Sequence, residues 1–333
     1  MLSRRHWLRK RANITKVIIL AYMRSGSSVT GKILEQARNA IYYFEPLRKL
    51  SFYSYANQPL TSIDDKKRYF ATNKSVEKGK IQILKAHLNC KFRNTFVETL
   101  LDRAVSGCKI CKKFNQCLKK NNSVPMVNKC LPQLQNVCNS ANVRIAKVIR
   151  LDMNLVPELL QSDSNLYVVH LIRDPRAILR SRSKVGLKIL EGEKHTKRLC
   201  SQIYYNAIKT IELKKIPQFK ERIMTLFYEN LSENPIAVTK DMYHFLHIPF
   251  TENVQEWIRR NMLGKNLNKN PFSVSARNSL FHTREWRLKS AYDFVKDVDE
   301  ACLYVYKLLG YKAARDINHL RNISESFFDI NRF

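Results

Sequence analysis

"AYMRSGSSVTGKIL", residues 21–34, reads as a strand end, a Ser/Gly-rich turn and a helix start. From Gly26 it runs G-x-x-x-x-G-K, the opening of a phosphate-binding loop. A nucleotide-triphosphate loop continues with Ser or Thr, whose hydroxyl holds magnesium. This chain has Ile33 there. Arg24, just ahead of the turn, offers a permanent planar charge to an oxyanion. Gly26 lets the backbone come close, and Ser27, Ser28 and Thr30 add hydroxyls and can cap the helix. The backbone from Ser25 through Val29 to Thr30 carries the N–H groups of a helix N-terminus, which with the helix dipole favour an anion. An ordinary capped turn uses the same residue types. If the loop is functional, it suits a phosphate bound without a metal.

A second stretch, "YVVHLIRDPRAILRSR", residues 167–182, carries more. A strand ends at Arg173, Asp174 is a natural N-cap, and Pro175 a natural first helical residue. Ser181 falls about two turns into that helix. Arg173 and Ser181 can therefore grip one phosphate together. A strand–helix junction with solvated arginines explains this stretch equally well when it is taken alone. Two separate anion loops in one α/β chain tip the balance, because they suit a nucleotide phosphorylated at both ends.

The rest of the chain fits such a fold. Its 333 residues, 44% hydrophobic, can bury a sizeable core, and one elaborated α/β domain suffices. Apolar runs without alternation predict buried strands at Val17–Tyr22, Ile41–Phe44, Ile81–Leu84, Ile145–Ile149, Leu166–Ile172 and Ile223–Phe227. Helices are predicted at about 28–38, 93–105, 153–162, 175–183, 196–214, 235–246, 253–262 and 293–309, the last closed by Gly310. Strands alternating with helices predict a doubly wound sheet. Residues 48–80 and 106–140 read as insertions near the mouth of the site, and 264–292 as loop.

The net charge of +31, from 59 Lys and Arg against 28 Asp and Glu, attracts polyanions. Nucleic acid, anionic glycans and membrane surfaces all qualify. Six of the eight cysteines fall between Cys90 and Cys138, and N-x-S/T triplets occur at Asn13, Asn73, Asn121, Asn230 and Asn322. Together they favour a secretory, oxidising compartment. Cys108-x-x-Cys111 with Cys117, Cys130 or Cys138 has a zinc reading too, but a second C-x-x-C is missing and disulfides are preferred. "VIILAYM" is too short for a membrane span, so either the chain is cytosolic or its anchor lies outside this sequence.

The paired loops resemble the two signature motifs of sulfotransferases that use 3′-phosphoadenosine 5′-phosphosulfate (PAPS), and in particular the Golgi carbohydrate 6-O-sulfotransferases. "RSGSSVTGKIL" resembles their 5′-phosphosulfate loop and "RDPRAILRSR" their 3′-phosphate motif. "YYFEPL" (42–47), "KVIRL" (147–151), "FYENLSENP" (227–235), "SARNSLFHTREWR" (275–287) and "LGY" (309–311) follow in the family's order. Lys32 and Arg48 depart from it, standing where apolar or aromatic residues are expected. The resemblance implies a P-loop NTPase-like three-layer fold with a central parallel sheet and a Cys-rich insertion. It implies a basic stem over 1–15, a sulfotransferase domain over 16–312 and a tail over 313–333. It also implies a Golgi-lumen type II membrane protein acting on a glycan acceptor, polyanionic here by charge, with a Cys200–Cys302 bond. Homodimerisation is left open, and nucleic acid is not an expected partner.

On that resemblance Arg24 and the loop Ser25–Thr30 take the 5′-phosphate and the departing charge. Arg173 and Ser181 take the 3′-phosphate, with Arg277 assisting. Sulfuryl transfer passes in line between two oxygens, so positioning and charge stabilisation dominate and no metal is required. Glu45, at a predicted strand end, resembles the family's proposed base for the acceptor hydroxyl. A salt bridge to a nearby Arg is its ordinary alternative. His87 and His170 are alternative bases, ranked lower because histidines in apolar runs are usually packed. Lys85, Lys147 and Arg150 are expected at the acceptor pocket. An ATP-dependent kinase is disfavoured by Ile33, and a nucleic-acid-binding module lacks any recognised signature.

Overall fold

The structure is a computed structural model that describes residues 14–119, 121–186, 192–264 and 279–329. In chain order its strands are β1 (Thr15–Leu20), β2 (Ala40–Phe44), a short hairpin of β3 (Leu60–Thr61) and β4 (Lys67–Arg68), β5 (Val143–Val148), β6 (Leu166–Ile172) and β7 (Ile223–Phe227). Five of them form one parallel sheet in the order β2-β5-β1-β6-β7. The central strand explains the unbroken apolar run that predicted it. Val17 and Ile19 pack with Ile33, Met242 and Ile258 on one face, while Ile18 and Leu20 pack with Ile83, Leu84 and Leu213 on the other. Both faces of β1 are covered, so neither face can be polar. The result is three layers, helix on sheet on helix.

The topology decides where a ligand can bind. After β1 the chain turns through the helix Ser27–Leu34 to β2 on one side, and after β6 it goes to β7 on the other. Neighbouring loops at the carboxyl ends of β1 and β6 therefore part from each other. That divergence opens a crevice at the sheet's switch point, and both anion loops lie there.

Several expectations change. The run Ile81–Leu84 lies in the helix Asn73–Leu88, not in a strand. Ile81, Leu84 and Leu88 recur at helical spacing and are buried. A capping box between Thr72 and Ser75 starts this helix. The region 93–105 is a 3-10 turn, Phe92–Asn94, followed by the single-turn helices Val97–Leu100 and Arg103–Ser106. Residues 48–80 are ordered as the helix Arg48–Tyr55, the β3–β4 hairpin and the start of the next helix. Ser279–Lys289, expected as loop, is a helix. Its Arg287 donates to the carbonyls of His319, Leu320, Asn322 and Glu325, so polar bonds hold it where an apolar stripe is weak.

Gly310 closes the helix Tyr292–Leu309 in the left-handed region, as expected. Beyond it the chain folds back, with Lys312 N donating to the Phe327 carbonyl at 3.0 Å. No helix among the described residues is long and apolar enough to cross a membrane.

All eight cysteines are paired: Cys90–Cys138, Cys108–Cys111, Cys117–Cys130 and Cys200–Cys302. The Cys108–Cys111 bond replaces the zinc reading of that C-x-x-C. Cys200 and Cys302 join the helices Glu193–Lys214 and Tyr292–Leu309 behind the second anion loop. Replacing both by Ala is expected to lower unfolding free energy in urea by about 2–4 kcal/mol, because the bond closes a long loop of the unfolded chain. Unchanged stability would show that the two thiols are not bonded.

Candidate functional site

The first anion loop leaves β1 with an abrupt turn. Arg24 has φ 73 and Gly26 φ 92, both left-handed. Gly26 is required twice over: a side chain would be strained at that φ, and a Cβ would lie 2.1 Å from the Tyr228 ring. Tyr22 N donates to Ser25 Oγ at 3.3 Å, and Ser25 N to the Tyr22 carbonyl at 3.1 Å, which tightens the turn. Gly26 then opens the helix Ser27–Leu34, accepting from Val29 N, Thr30 N and Thr30 Oγ1. The first N–H groups of a helix have no acceptor within it, so Ser27 and Ser28 present theirs at the loop. Ile33 is fully buried among the core residues of that face, and Lys32 pairs with Glu35 at 2.7 Å.

The second loop meets the first. Asp174 caps the helix Pro175–Lys184 by accepting from Arg176 N, and Pro175 begins it. Arg173 Nη1 donates to the Arg24 carbonyl at 3.0 Å. Arg24 Nε donates to Ser181 Oγ at 3.0 Å. Arg182 Nε donates to the Met23 carbonyl at 3.3 Å. Three arginines thus converge on one turn. Burial, and then the charge of Arg173, depresses the Arg24 guanidinium, and burial pushes Arg182 down to about 10. Arg173 Nε is buried and donates to no acceptor among the described residues. Its guanidinium carbon lies 4.4 Å from the Tyr228 ring centroid. A crowded, desolvated cation group with an unused donor is matched to a polyanion.

A carboxylate stands at the end of β2, with β5 between it and β1. Glu45 follows β2 with φ 54, is buried, and donates its N–H to the Lys147 carbonyl at 2.9 Å. Lys147 Nζ donates to Oε1 at 2.6 Å, and Arg150 Nη1 to Oε2. The ordinary alternative for Glu45, an ion pair with a nearby Arg, is therefore present, with Lys147 as a second partner. Each oxygen keeps a further lone pair, so the carboxylate can still accept from a hydroxyl. Burial lowers the Lys147 ammonium while Glu45 opposes that, and Arg150 and Arg24 lower it further. Lys147 therefore feels both clusters.

The alternative bases, His87 and His170, are both buried and hydrogen-bonded. Burial lowers His170 to about 3 and His87 to about 4. His170 lies between Tyr22 Oη and Thr210 Oγ1, each at 2.8 Å. His87 Nδ1 bonds the Ile83 carbonyl in its own helix at 2.9 Å. Lys85 is in an ion pair with Glu158 at 3.6 Å. Arg277 lies outside the described residues.

The sulfotransferase domain family matches residues 14–302. The chain belongs to that family. Carbohydrate sulfotransferase 1 of Danio rerio is 27% identical to this sulfotransferase, over 96% of this chain and 83% of its own. Carbohydrate sulfotransferase 4 of Mus musculus is 27% identical over 92% and 84%. Carbohydrate sulfotransferase 3 of Homo sapiens is 28% identical over 94% and 70%.

Arg24, the loop Ser25–Thr30, Arg173 and Ser181 come together in space, and Lys147, paired with Glu45, feels the charge of Arg24. Arg182 and Tyr228 escaped the sequence reading, whereas Lys147 and Arg150, expected at the acceptor pocket, are found on Glu45. "RSR" and "FYENL" held Arg182 and Tyr228 in view, but their contacts span the sheet. Arg176, in the same motif as Arg173, has a different task. It is fully buried, bonds Asp174 and Asp299, and lies against Trp286, Tyr306 and Phe327.

Glu229 supports the second loop. Its carboxylate accepts from Asp174 N at 2.9 Å and Tyr311 Oη at 3.1 Å. Burial raises its carboxyl from 4.5 to about 7. The folded state then binds the proton more tightly than the unfolded one. This contribution to stability is complete below pH 4.5 and is lost as pH rises through about 7. Glu229→Gln should make stability less pH-dependent across that window in thermal melts. A variant whose pH profile overlays the wild type would show that Glu229 does not carry the raised value.

Proposed function

We propose that this sulfotransferase moves a sulfuryl group from PAPS to a sugar hydroxyl, at the 6-position, in a glycan such as a chondroitin, keratan or N-acetylglucosamine-bearing chain. The observation that carries the donor half is the meeting of two anion loops, with Arg24 Nε on Ser181 Oγ at 3.0 Å. A nucleotide with phosphates at both ends presents anions to both loops. The acceptor half is supported by the curated relatives, which are carbohydrate sulfotransferases by name.

The residues divide the work. Arg24 and the amides of Ser27 and Ser28 hold the 5′-phosphate and stabilise charge as it departs. Arg173, on the other loop with Ser181, holds the 3′-phosphate. Glu45 accepts the proton of the attacking hydroxyl through a remaining lone pair. Lys147 and Arg150 fix the carboxylate's orientation, and Lys147 adds positive charge between it and Arg24. Arginine charge takes the place a metal has in phosphoryl transfer, since Ile33 occupies the core position where such a loop would offer a metal its hydroxyl. The lumen of the secretory pathway is the proposed setting. Four disulfides support it, as do the exposed sequon residues Asn73, Asn121 and Asn322.

The test is single-turnover transfer of labelled sulfate from PAPS to a desulfated chondroitin or keratan acceptor, without divalent metal. Glu45→Gln keeps the shape and removes the basic lone pair. Its rate should fall by about 10²–10⁴ while donor affinity holds. A variant within a few-fold of wild type would make Glu45 structural. Loss of donor binding would give it the task of orienting Arg24.

A further inference from the structure

We infer that the helix Arg48–Tyr55 is the platform for the acceptor: Phe52 stacks on a pyranose ring, and the guanidiniums beside it hold an anionic group of that sugar or its neighbour. This rests on the reading that the acceptor is a glycan.

Position comes first. The helix starts on the turn that carries the carboxylate, with Arg48 N donating to the Glu45 carbonyl at 3.0 Å. Leu50 anchors its inner face in the core. Arg48, Phe52 and Tyr55 are spaced by four and three residues, so they share one face. Phe52 is 52% exposed and Tyr55 95%. Rings this exposed do nothing for the core, and exposed aromatic surface on one helix face is a candidate for binding.

The flanking charges define the occupant. The Arg48 and Arg150 guanidinium carbons each lie 5.7 Å from the Phe52 centroid. Arg150 also reaches Glu45 Oε2, so a single residue links ring and carboxylate. Arg48 is fixed by Asp102, to which Nε donates at 2.9 Å, and Asp102 is thereby held below the usual carboxylate range against the cost of burial. From Asp102 to Asp152 the sequence has no acidic residue, while Arg144, Lys147 and Arg150 fall in that stretch. The surface next to Glu45 therefore favours an anion together with the flat apolar face of a ring. A carboxylated or sulfated sugar chain offers both. A neutral monosaccharide uses only the ring, and a nucleotide donor is already accounted for at the arginine loops.

The test compares acceptor kinetics on a hexosamine–uronic acid oligosaccharide and on its carboxyl-reduced form. Phe52→Ala should raise the acceptor KM about tenfold, the loss expected for one desolvated ring stack, with donor KM and melting temperature unchanged because the ring is exposed. Phe52→Trp should restore the KM. Wild type should prefer the carboxylated acceptor, and the preference should shrink at high salt. An acceptor KM within about twofold of wild type in Phe52→Ala would overturn the proposal. So would an equal KM for the two acceptors in wild type. A change in sedimenting mass in place of KM would assign the ring to contact between copies of the chain. Wild type that transfers sulfate to no sugar at all would sink the glycan reading itself, a failure seen before any variant is made.

Discussion

One hydrogen bond sets the geometry of the site: Arg173 Nη1 to the Arg24 carbonyl, at 3.0 Å across 149 residues of sequence. It joins the loop after β1 to the loop after β6, where the sheet's topology drives the chain apart. Tyr228 fits between them, against Gly26 on one side and under the Arg173 guanidinium on the other. An alternative residue at Gly26 loses the turn and collides with the ring. The two loops therefore hold one separation, and on the proposed reading that separation suits a ligand with two anionic ends.

Such an arrangement is costly without a ligand. Like charges are brought together out of water, and burial and mutual repulsion both work against them. The scaffold resists by rigidity. Arg176 is locked by two aspartates and three aromatic rings, and Cys200–Cys302 ties the helices behind it. Around Glu45 the balance is reversed, with two cations on one carboxylate. The excess positive charge of the chain is thus partly a property of the site and not only of the surface.

Much of this was legible in the residues. The β1 and β6 runs announced buried parallel strands because both faces of each are covered, and Asp174-Pro175 announced a capped helix. The loops that bring Arg24, Arg173 and Ser181 into contact were legible because strand–turn–helix junctions have local chemistry. Ile81–Leu84 misled because a short apolar run is compatible with a buried helix as well as a strand. Ser279–Lys289 was missed because its order comes from Arg287 bonding distant carbonyls. Tyr228 was illegible for the same reason: a ring under Arg173 is a product of strand order, which no local pattern carries. Lys147 was expected near the acceptor, but not as the second partner of Glu45.

The central claim is that each loop reads one end of one nucleotide. Calorimetric titration with adenosine 5′-phosphate, adenosine 3′-phosphate and adenosine 3′,5′-bisphosphate addresses it directly. In wild type the bisphosphate should bind more tightly than either monophosphate. Arg24→Ala should remove most of what the 5′-phosphate adds, and Arg173→Ala most of what the 3′-phosphate adds, each sparing the other. A bisphosphate that binds no better than a monophosphate, or variants that lose both increments equally, would contradict the account.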